Sequence, residues 1–299
     1  MVLAHLSDLH LRDEADAVEF ARQLDRIVAR RVDHLVITGD LLDWWDPALL
    51  DRALDALAER NLLAAPALTL LHGNHDLASS GGHPRRRADL RRLVLRFWDP
   101  PPLIAARRQR FYAAIERRAP GVVAPPPFLK RLDQGVAIAV LDTILAPWLP
   151  LTIHGREIRV HHATGAIDTR QTDWLARQKT AAMLVVLVHH YPLDVAPYQW
   201  RSRDTTEGRQ SWLDRWQFVI PMAIRQPDRD RFWSAAETAG AAAVLCGHVH
   251  RARVEHHRGI TVGLNGQSGA AWAGRTIAYY KLVKDSIEVD YEPPFTPVP

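Results

Sequence analysis

Five short apolar runs along this 299-residue chain each end in residues that can bind a cation through oxygen or imidazole nitrogen. Met1 to Leu6 leads into Ser7-Asp8-Leu9-His10, and Asp33 to Thr38 into Gly39-Asp40. Ala67 to Leu71 leads into Gly73-Asn74-His75-Asp76, Met183 to Val188 into His189-His190, and Ala242 to Cys246 into Gly247-His248-Val249-His250. Runs of this length and composition read as buried strands. Between the first two, Ala17, Phe20, Ala21, Leu24, Ile27 and Val28 recur every three or four residues, which predicts a helix. Between the second and third, Asp46 followed by Pro47 reads as an N-cap and first helical position, opening a helix to about Arg60. Strand, helix, strand, helix, strand in that order predicts right-handed crossovers and a sheet whose first strands are parallel. Ligands of such sheets gather beyond the carboxyl ends of the strands. The fold class is therefore α/β, with separate stretches of chain brought to one place.

The rhythm then breaks twice. Pro84 to Pro127 reads as an arginine-rich, mainly helical insertion, with Leu90, Leu93, Val94 and Phe97 at helical spacing and two runs of three prolines. Gly135 to Leu141 resumes a strand that ends in Asp142-Thr143, and a helix is expected over about Thr169 to Lys179 with Trp174 and Leu175 inward. A second insertion, about Val195 to Arg231, contains Trp200, Trp212 and Trp216, with Trp233 just beyond it. Val254, Ile260 to Leu264, Ile277 to Leu282 and Ile287 to Val289 suggest antiparallel strands. The expected organisation is one domain over 1–292 with insertions at about 84–133 and 195–231, and a loose tail over 293–299.

The donors themselves point to chemistry. Oxygen and imidazole without thiolate suit Mn, Fe, Zn or Co rather than a structural zinc knot. An Asp-x-His pair on a tight turn puts a carboxylate and an imidazole within reach of one ion, and Asp40 can bridge two. Two divalent ions roughly 3.5–4 Å apart activate water and clamp both oxygens of an in-line displacement. Asn74 adds a neutral oxygen, keeping the positive charge of such a site high enough for a phosphoryl group. His75 is placed to give a proton to the leaving oxygen, with Asp76 orienting it. Each cluster alone is weak evidence, since a buried histidine is more often a satisfied core group; five in order at strand ends are not a coincidence. Asp43 reads as a residue that caps or orients its loop. His161-His162 and His256-His257 read as surface or outlying pairs, and His5 and His72 as packing residues.

As a set, these motifs resemble the calcineurin-like binuclear metallophosphoesterases, over Asp8 to His250. The resemblance implies a four-layer α/β/β/α sandwich. It implies that Asp8, His10, Asp40 and His250 hold one metal, and that Asp40, Asn74, one histidine of the 189/190 pair and His248 hold the other, with His75 catalytic. Here the His-His-Pro form found in part of the family becomes His189-His190-Tyr191-Pro192. Both histidines are candidates and one is expected to bind, His189 being nearer the strand end. Asp142-Thr143 and Gly165 to Leu175 are similar to segments of the class III cyclic-nucleotide phosphodiesterase subgroup, which implies a diesterase acting on a small-molecule phosphoester. A phosphomonoesterase or a lipid-linked pyrophosphate hydrolase is the alternative.

Charge and composition narrow the remaining classes. The net charge is only +4, yet residues 84–133 hold thirteen Lys/Arg against four Asp/Glu, leaving the remainder acidic. Such a block attracts an anionic substrate, a nucleic-acid backbone or an anionic membrane surface. A solvated helical face accounts for it equally well. Phe97-Trp98 and Phe111-Tyr112 could stack on bases, but packing explains them too, so a nucleic-acid processing factor ranks below the hydrolase. Trp212, Trp216, Val219 and Ile220 fall on one helical face and could line a lipid or nucleobase pocket, although packing onto the sandwich is the plainer role. The one cysteine, Cys246, ends an apolar run and reads as a buried strand residue. No apolar stretch reaches membrane-spanning length and the first cluster begins by residue 8, which makes the cytoplasm the expected location and leaves peripheral membrane contact unsupported. Oligomeric state is not legible in the sequence.

Overall fold

In the computed structural model the first three apolar runs form parallel neighbours, β1 (Val2–Leu6), β2 (His34–Ile37) and β3 (Leu68–Leu70), with Leu3 opposite His34 and Leu35 opposite Leu68. The residues described are 1–78, 101–133, 135–145, 148–153, 156–161, 165–194, 223–266, 277–283 and 286–292. Helices α1 (Glu14–Ala29) and α2 (Pro47–Ala58) make the crossovers. Their starts follow from capping chemistry: Asp13 accepts from the Asp16 amide, and Asp46 from the amides of Ala48 and Leu49, beside the proline at the first helical position. The apolar stripe of α1, Phe20, Leu24 and Ile27, is fully buried, each side chain contributing about 1.5–3 kcal/mol of transfer free energy.

Further along come α3 (Pro101–Arg118), β4 (Phe128–Leu132), β5 (Val136–Val140), the hairpin β6 (Trp148–Ile153) and β7 (Arg156–His161), α4 (Thr169–Ala176) and β8 (Met183–Leu187). The described chain ends with α5 (Asp228–Ala239), β9 (Ala241–Cys246), β10 (Arg253–His257), β11 (Ile260–Leu264), β12 (Ala278–Val283) and β13 (Ser286–Tyr291). One sheet runs β13-β12-β1-β2-β3 and a second runs β10-β11-β9-β8-β5-β4, with β6-β7 apart.

Three apolar clusters show how these parts stack. Leu3, Val36, Ala278 and Tyr280 of the first sheet meet Val136, Ile138, Val185, Leu187 and Leu245 of the second. The outer face of the first sheet packs against α1, α2 and α3 through residues such as Ile37, Phe20, Leu54 and Phe111. The outer face of the second packs against α4 and α5 through Val186, Val244, Leu175 and Phe232. This is the α/β/β/α sandwich. Strands covered on both faces are apolar throughout, which is why they stood out as runs rather than alternations.

Two elements depart from the expectation. Phe128–Leu132, inside the region read as mainly helical, is a strand antiparallel to β5, its pattern obscured by Lys130-Arg131 and the preceding prolines. The Lys130 ammonium is turned inward and donates to the carbonyls of Ala65, Leu68 and Val122 at 3.3, 2.7 and 2.9 Å. The expected antiparallel order after His250 holds for β10 with β11 and for β12 with β13, whereas β11 lies parallel to β9, with Val262 opposite Val244. Leu90, Leu93, Phe97 and Trp98, the tryptophans at 200, 212 and 216, His162 and the tail 293–299 lie outside the described residues. Among the described residues no helix is long and apolar enough to cross a membrane.

Candidate metal centre

All five donor clusters stand at the carboxyl ends of parallel strands, three on the first sheet (β1, β2, β3) and two on the second (β8, β9). Backbone bonds lock the loops together: the Asp8 amide donates to the Gly39 carbonyl at 3.0 Å, that of His10 to Asp40 at 2.9 Å, and that of Gly247 to His189 at 3.0 Å. The seam between the sheets is closed by the His248 amide, which donates to the Asp8 carboxylate at 2.9 Å, and by His189 Nδ1, which donates to the Thr38 carbonyl at 2.9 Å. Close approach leaves no room for side chains at two glycines. A methyl group on Gly73 would stand 2.0 Å from Asp40 Oδ1, and one on Gly247 2.4 Å from Asp8 Oδ2.

Three donor groups result, His10 with Asp43 and His75 beside two that share Asp40. Asp8, His10, Asp40 and His250 each place a donor atom within 4.8 Å of the others, and Asp40, His189 and His248 do the same. Asn74 Oδ1 joins the second set, 3.0 Å from His189 Nε2. In the first set His10 Nε2 lies 3.0 Å from His250 Nε2 and 3.7 Å from Asp40 Oδ2. In the second, His189 Nε2 lies 3.2 Å from His248 Nδ1 and 3.5 Å from the same Asp40 oxygen. That oxygen is buried and has no hydrogen-bond donor, and His248 Nε2 is likewise buried without one. Buried carboxylate and imidazole lone pairs converging in this way are costly unless a cation joins them. The residues therefore fit two divalent ions bridged by Asp40, and thiolates are absent from both sets.

The backbone is bent to the same end. Asp8, His10, Asp40, His248 and His250 all lie in the left-handed region, with φ of 54°, 46°, 51°, 72° and 55°. For residues with a Cβ this costs of order 1–3 kcal/mol each and persists only where surrounding structure imposes it.

Electrostatics follow burial and neighbours. Burial pushes the Asp40 carboxyl up, but the charges of His189 and His75 outweigh it and hold the group well below its ordinary range. Burial lowers His248 to about 3, while Asp40 overrides burial at His189 and raises it to about 9. Burial and the Asp40 charge together raise Asp76 to about 7.

Seven of the sequence candidates meet in the two sets: Asp8, His10, Asp40, Asn74, His189, His248 and His250. His190 does not turn the same way. Its Nδ1 lies 2.8 Å from the Thr143 hydroxyl, because side chains leaving an extended backbone in succession point in opposite directions. His75 stands beside the first set, its ring 4.6 Å from that of His10 and perpendicular to it. The orienting role expected of Asp76 is corrected. Its carboxylate accepts from the amides of Leu42 and Gly73, both at 2.7 Å, and so ties the second and third loops rather than touching the His75 ring. Asp43 does that instead: its carbonyl is 3.0 Å from His75 Nδ1, and its carboxylate lies 3.5 Å from both His75 and His10. The short turn out of β2 puts Asp43 on the side of Asp40, a signal present in the spacing of Gly39-Asp40-Leu41-Leu42-Asp43. Of the packing histidines, His5 pairs with Thr38 at 2.8 Å, whereas His72 carries a larger network. Phe111 and Tyr112 are buried, which removes them as stacking platforms for bases.

Comparison with known proteins agrees with this geometry. The structure is similar to that of a dimetal phosphatase from Danio rerio, with a TM-score of 0.54, 13% identity, and 97% of this chain and 95% of the other covered. It is similar also to the protein TT1561 of Thermus thermophilus, with a TM-score of 0.55, 12% identity and 97% of both chains covered. At these identities the likeness is one of fold. No curated protein sequence matches the chain. The model of the family described as calcineurin-like phosphoesterase matches residues 1–252, spanning every donor named above. The chain therefore belongs to the calcineurin-like phosphoesterases, and is a metal-dependent hydrolase of phosphoester bonds.

Proposed function

We propose that the chain is a phosphodiesterase acting on a small-molecule substrate, with His75 as proton donor. Asp8, His10, Asp40 and His250 would hold one divalent ion, and Asp40, Asn74, His189 and His248 the other, drawn from Mn, Fe, Zn or Co. The observation that carries the reading is the charge of the donor set. Of the seven donor residues only Asp8 and Asp40 are carboxylates; the others are an amide and imidazoles, which would bind an ion in their neutral form. Two dications against two carboxylates leave a formal double positive charge, which a diester monoanion and one hydroxide cancel. A monoester dianion with hydroxide overfills it. In this reading the proton that His75 carries balances Asp43, the nearby third carboxylate, which lies 3.5 Å from His75 and from His10.

When bound, the ions lower the pKa of water and neutralise charge on the phosphoryl oxygens. The residues do the rest. His75, its Nδ1 held by Asp43, presents Nε2 for proton transfer to the departing alkoxide. Support for the cyclic-nucleotide-phosphodiesterase-like subgroup comes from the two segments similar to it, which bond to each other beside His190. Gln171 Nε2 donates to the Asp142 carbonyl at 2.9 Å while its Oε1 accepts from the Asp142 amide at 2.8 Å, and the Ala166 amide donates to the Thr143 carbonyl at 2.9 Å. The same reading includes a cytoplasmic location, which fractionation of the source cells tests.

The decisive experiment compares Mn²⁺-loaded protein on bis(p-nitrophenyl) phosphate and on p-nitrophenyl phosphate. A kcat/KM at least tenfold higher for the diester is expected. Preference for the monoester sinks the diesterase reading, and the charge argument with it.

A further inference from the structure

The turn that carries Asn74 and His75 is gripped on both flanks by one helix. On its amino side, the ring of His72 lies between the Tyr112 hydroxyl, 2.6 Å from Nδ1, and Asp142 Oδ1, 3.4 Å from Nε2. Asp142 is met in turn by Arg108, whose Nε lies 3.3 Å from Oδ2 and whose Nη2 donates to the Ile144 carbonyl at 2.9 Å. On the carboxyl side, Arg107 Nη1 donates to the Leu77 carbonyl at 2.7 Å, at the end of the single 3-10 turn His75–Leu77. Arg108 and Tyr112 are one helical turn apart and share a face of α3. Asp142 is itself immobilised by both ends of the Gln171 amide and by the Ile144 amide, which donates to its Oδ1 at 2.7 Å.

These groups are placed for holding. His72, Asp142, Tyr112 and Arg107 are all at least nine-tenths buried, and both guanidinium groups are engaged by backbone carbonyls or by Asp142. His72 thus meets the Tyr112 hydroxyl through a short hydrogen bond at Nδ1 and the Asp142 carboxylate through an electrostatic contact at Nε2. Within the turn the Gly73 amide bonds to Asp76 and the Ala78 amide to the His75 carbonyl, while α3 holds the two flanks from outside.

We infer that α3 is a positioning element of the reaction: Arg107, Arg108 and Tyr112 set where the Asn74 amide oxygen and the His75 ring stand. This rests on the roles proposed above for Asn74 and His75. The basic segment then serves kcat and metal affinity, and three of its polar side chains are spent on the turn rather than on substrate. Loss of an outlying partner of a metal ligand typically costs about 10–100-fold in metal affinity or activity, and misplacement by about 1 Å of a reacting group costs about 10²-fold.

The test uses the full chain and four variants: Tyr112→Phe, Arg108→Ala, Arg108→Lys, and Arg110→Ala on the exposed side of the helix. Mn²⁺ affinity of the weaker site is measured by titration, independently of turnover, and kcat and KM on whichever aryl ester the wild type prefers. Tyr112→Phe and Arg108→Ala are expected to lower kcat and Mn²⁺ affinity about tenfold or more with KM within about twofold. Arg108→Lys should recover most of both, and Arg110→Ala should match wild type. A rise in KM with kcat unchanged would assign the helix to substrate binding and overturn the inference. So would a lowered Tm with kcat and Mn²⁺ affinity intact. Should Tyr112→Phe not fold, the two variants of the partly exposed Arg108 carry the decision. If the wild type prefers the monoester, the diesterase reading fails while the Mn²⁺ titration still decides the role of α3.

Discussion

Replacing Gly73 by alanine should cripple the metal centre while barely touching the fold elsewhere. An added Cβ would lie 2.0 Å from Asp40 Oδ1 and 2.3 Å from the Asp40 amide nitrogen. Ordinary contact begins near 3.4 Å, so the bridging carboxylate or the third loop has to give way by about 1.4 Å. The obstacle is the residue common to two donor groups, whose Oδ1 also accepts from the His75 amide at 2.8 Å, so a shift reaches both proposed ion sites and the proposed proton donor. A displacement of about 1 Å at such a site costs about 10²-fold in rate, or about 2.7 kcal/mol of barrier. Gly240→Ala is the control: this residue caps α5 at φ 69° with nothing within 4 Å of an added Cβ. It should lose about 1–2 kcal/mol of stability through left-handed strain and nothing in Mn²⁺ binding. Bound metal is counted by atomic emission after dialysis, and turnover is followed on an aryl diester. Gly73→Ala with wild-type metal content and a rate within about threefold of wild type would refute the steric reasoning.

Four further outcomes are expected. Asp43→Asn should slow esters with poor alkoxide leaving groups about 10²-fold and aryl esters far less, because p-nitrophenolate needs no proton; equal losses on both would remove Asp43 from the protonation step. Burial holds His34 at about 4, below its ordinary 6.5, in a bond to Thr69. The unfolded chain therefore binds the extra proton first, and stability present above pH 6.5 is lost as pH falls towards 4, by about 3 kcal/mol. The drop in urea-unfolding free energy from pH 7.5 to 4.5 should be larger for wild type than for His34→Gln, and equal drops would refute the linkage. Lys130→Met should cost about 3 kcal/mol in urea unfolding by stripping three carbonyls of their charged donor, and a loss under 1 kcal/mol would contradict the inward placement. Mn²⁺ at about a hundred times its Kd should stabilise the folded chain by about 2.7 kcal/mol, a gain that chelation reverses; an unchanged Tm would contradict binding to the folded state alone.

What could be read in advance was whatever local pattern decides. Apolar runs ending in Asp, Asn and His were legible because strands buried on both faces cannot hide among polar residues, and the donors sit immediately after them. The caps of α1 and α2 were legible for the same local reason. The choice between His189 and His190 was legible only as a lean towards the residue nearer the strand end, because the Thr143 hydroxyl that receives His190 is 47 residues away. Asp76 misled because adjacency in sequence suggested contact with His75; the 3-10 turn points its carboxylate back at two amides instead. The parallel pairing of β11 with β9 and the strand character of Phe128–Leu132 depend on partners far along the chain. The grip of α3 on the Asn74 turn joins residues 30 to 40 positions apart, which no periodicity records.

Strand β1, which leads into the loop bearing Asp8 and His10, lies between β2 and the distant β12, with Leu3 opposite Tyr280. A ribosome delivers these neighbours far apart in time, since Leu3 and Tyr280 are widely separated along the chain. Until residues 278–283 have emerged, the strand bearing the first two ligands keeps a naked edge, open to pairing with other chains. The same long wait makes the last step of folding a non-local one, slow by virtue of topology. Temporal order thus runs against chain order here: a strand made early waits for a partner made much later, and capture of cations before that moment would have to rely on a half-built cradle.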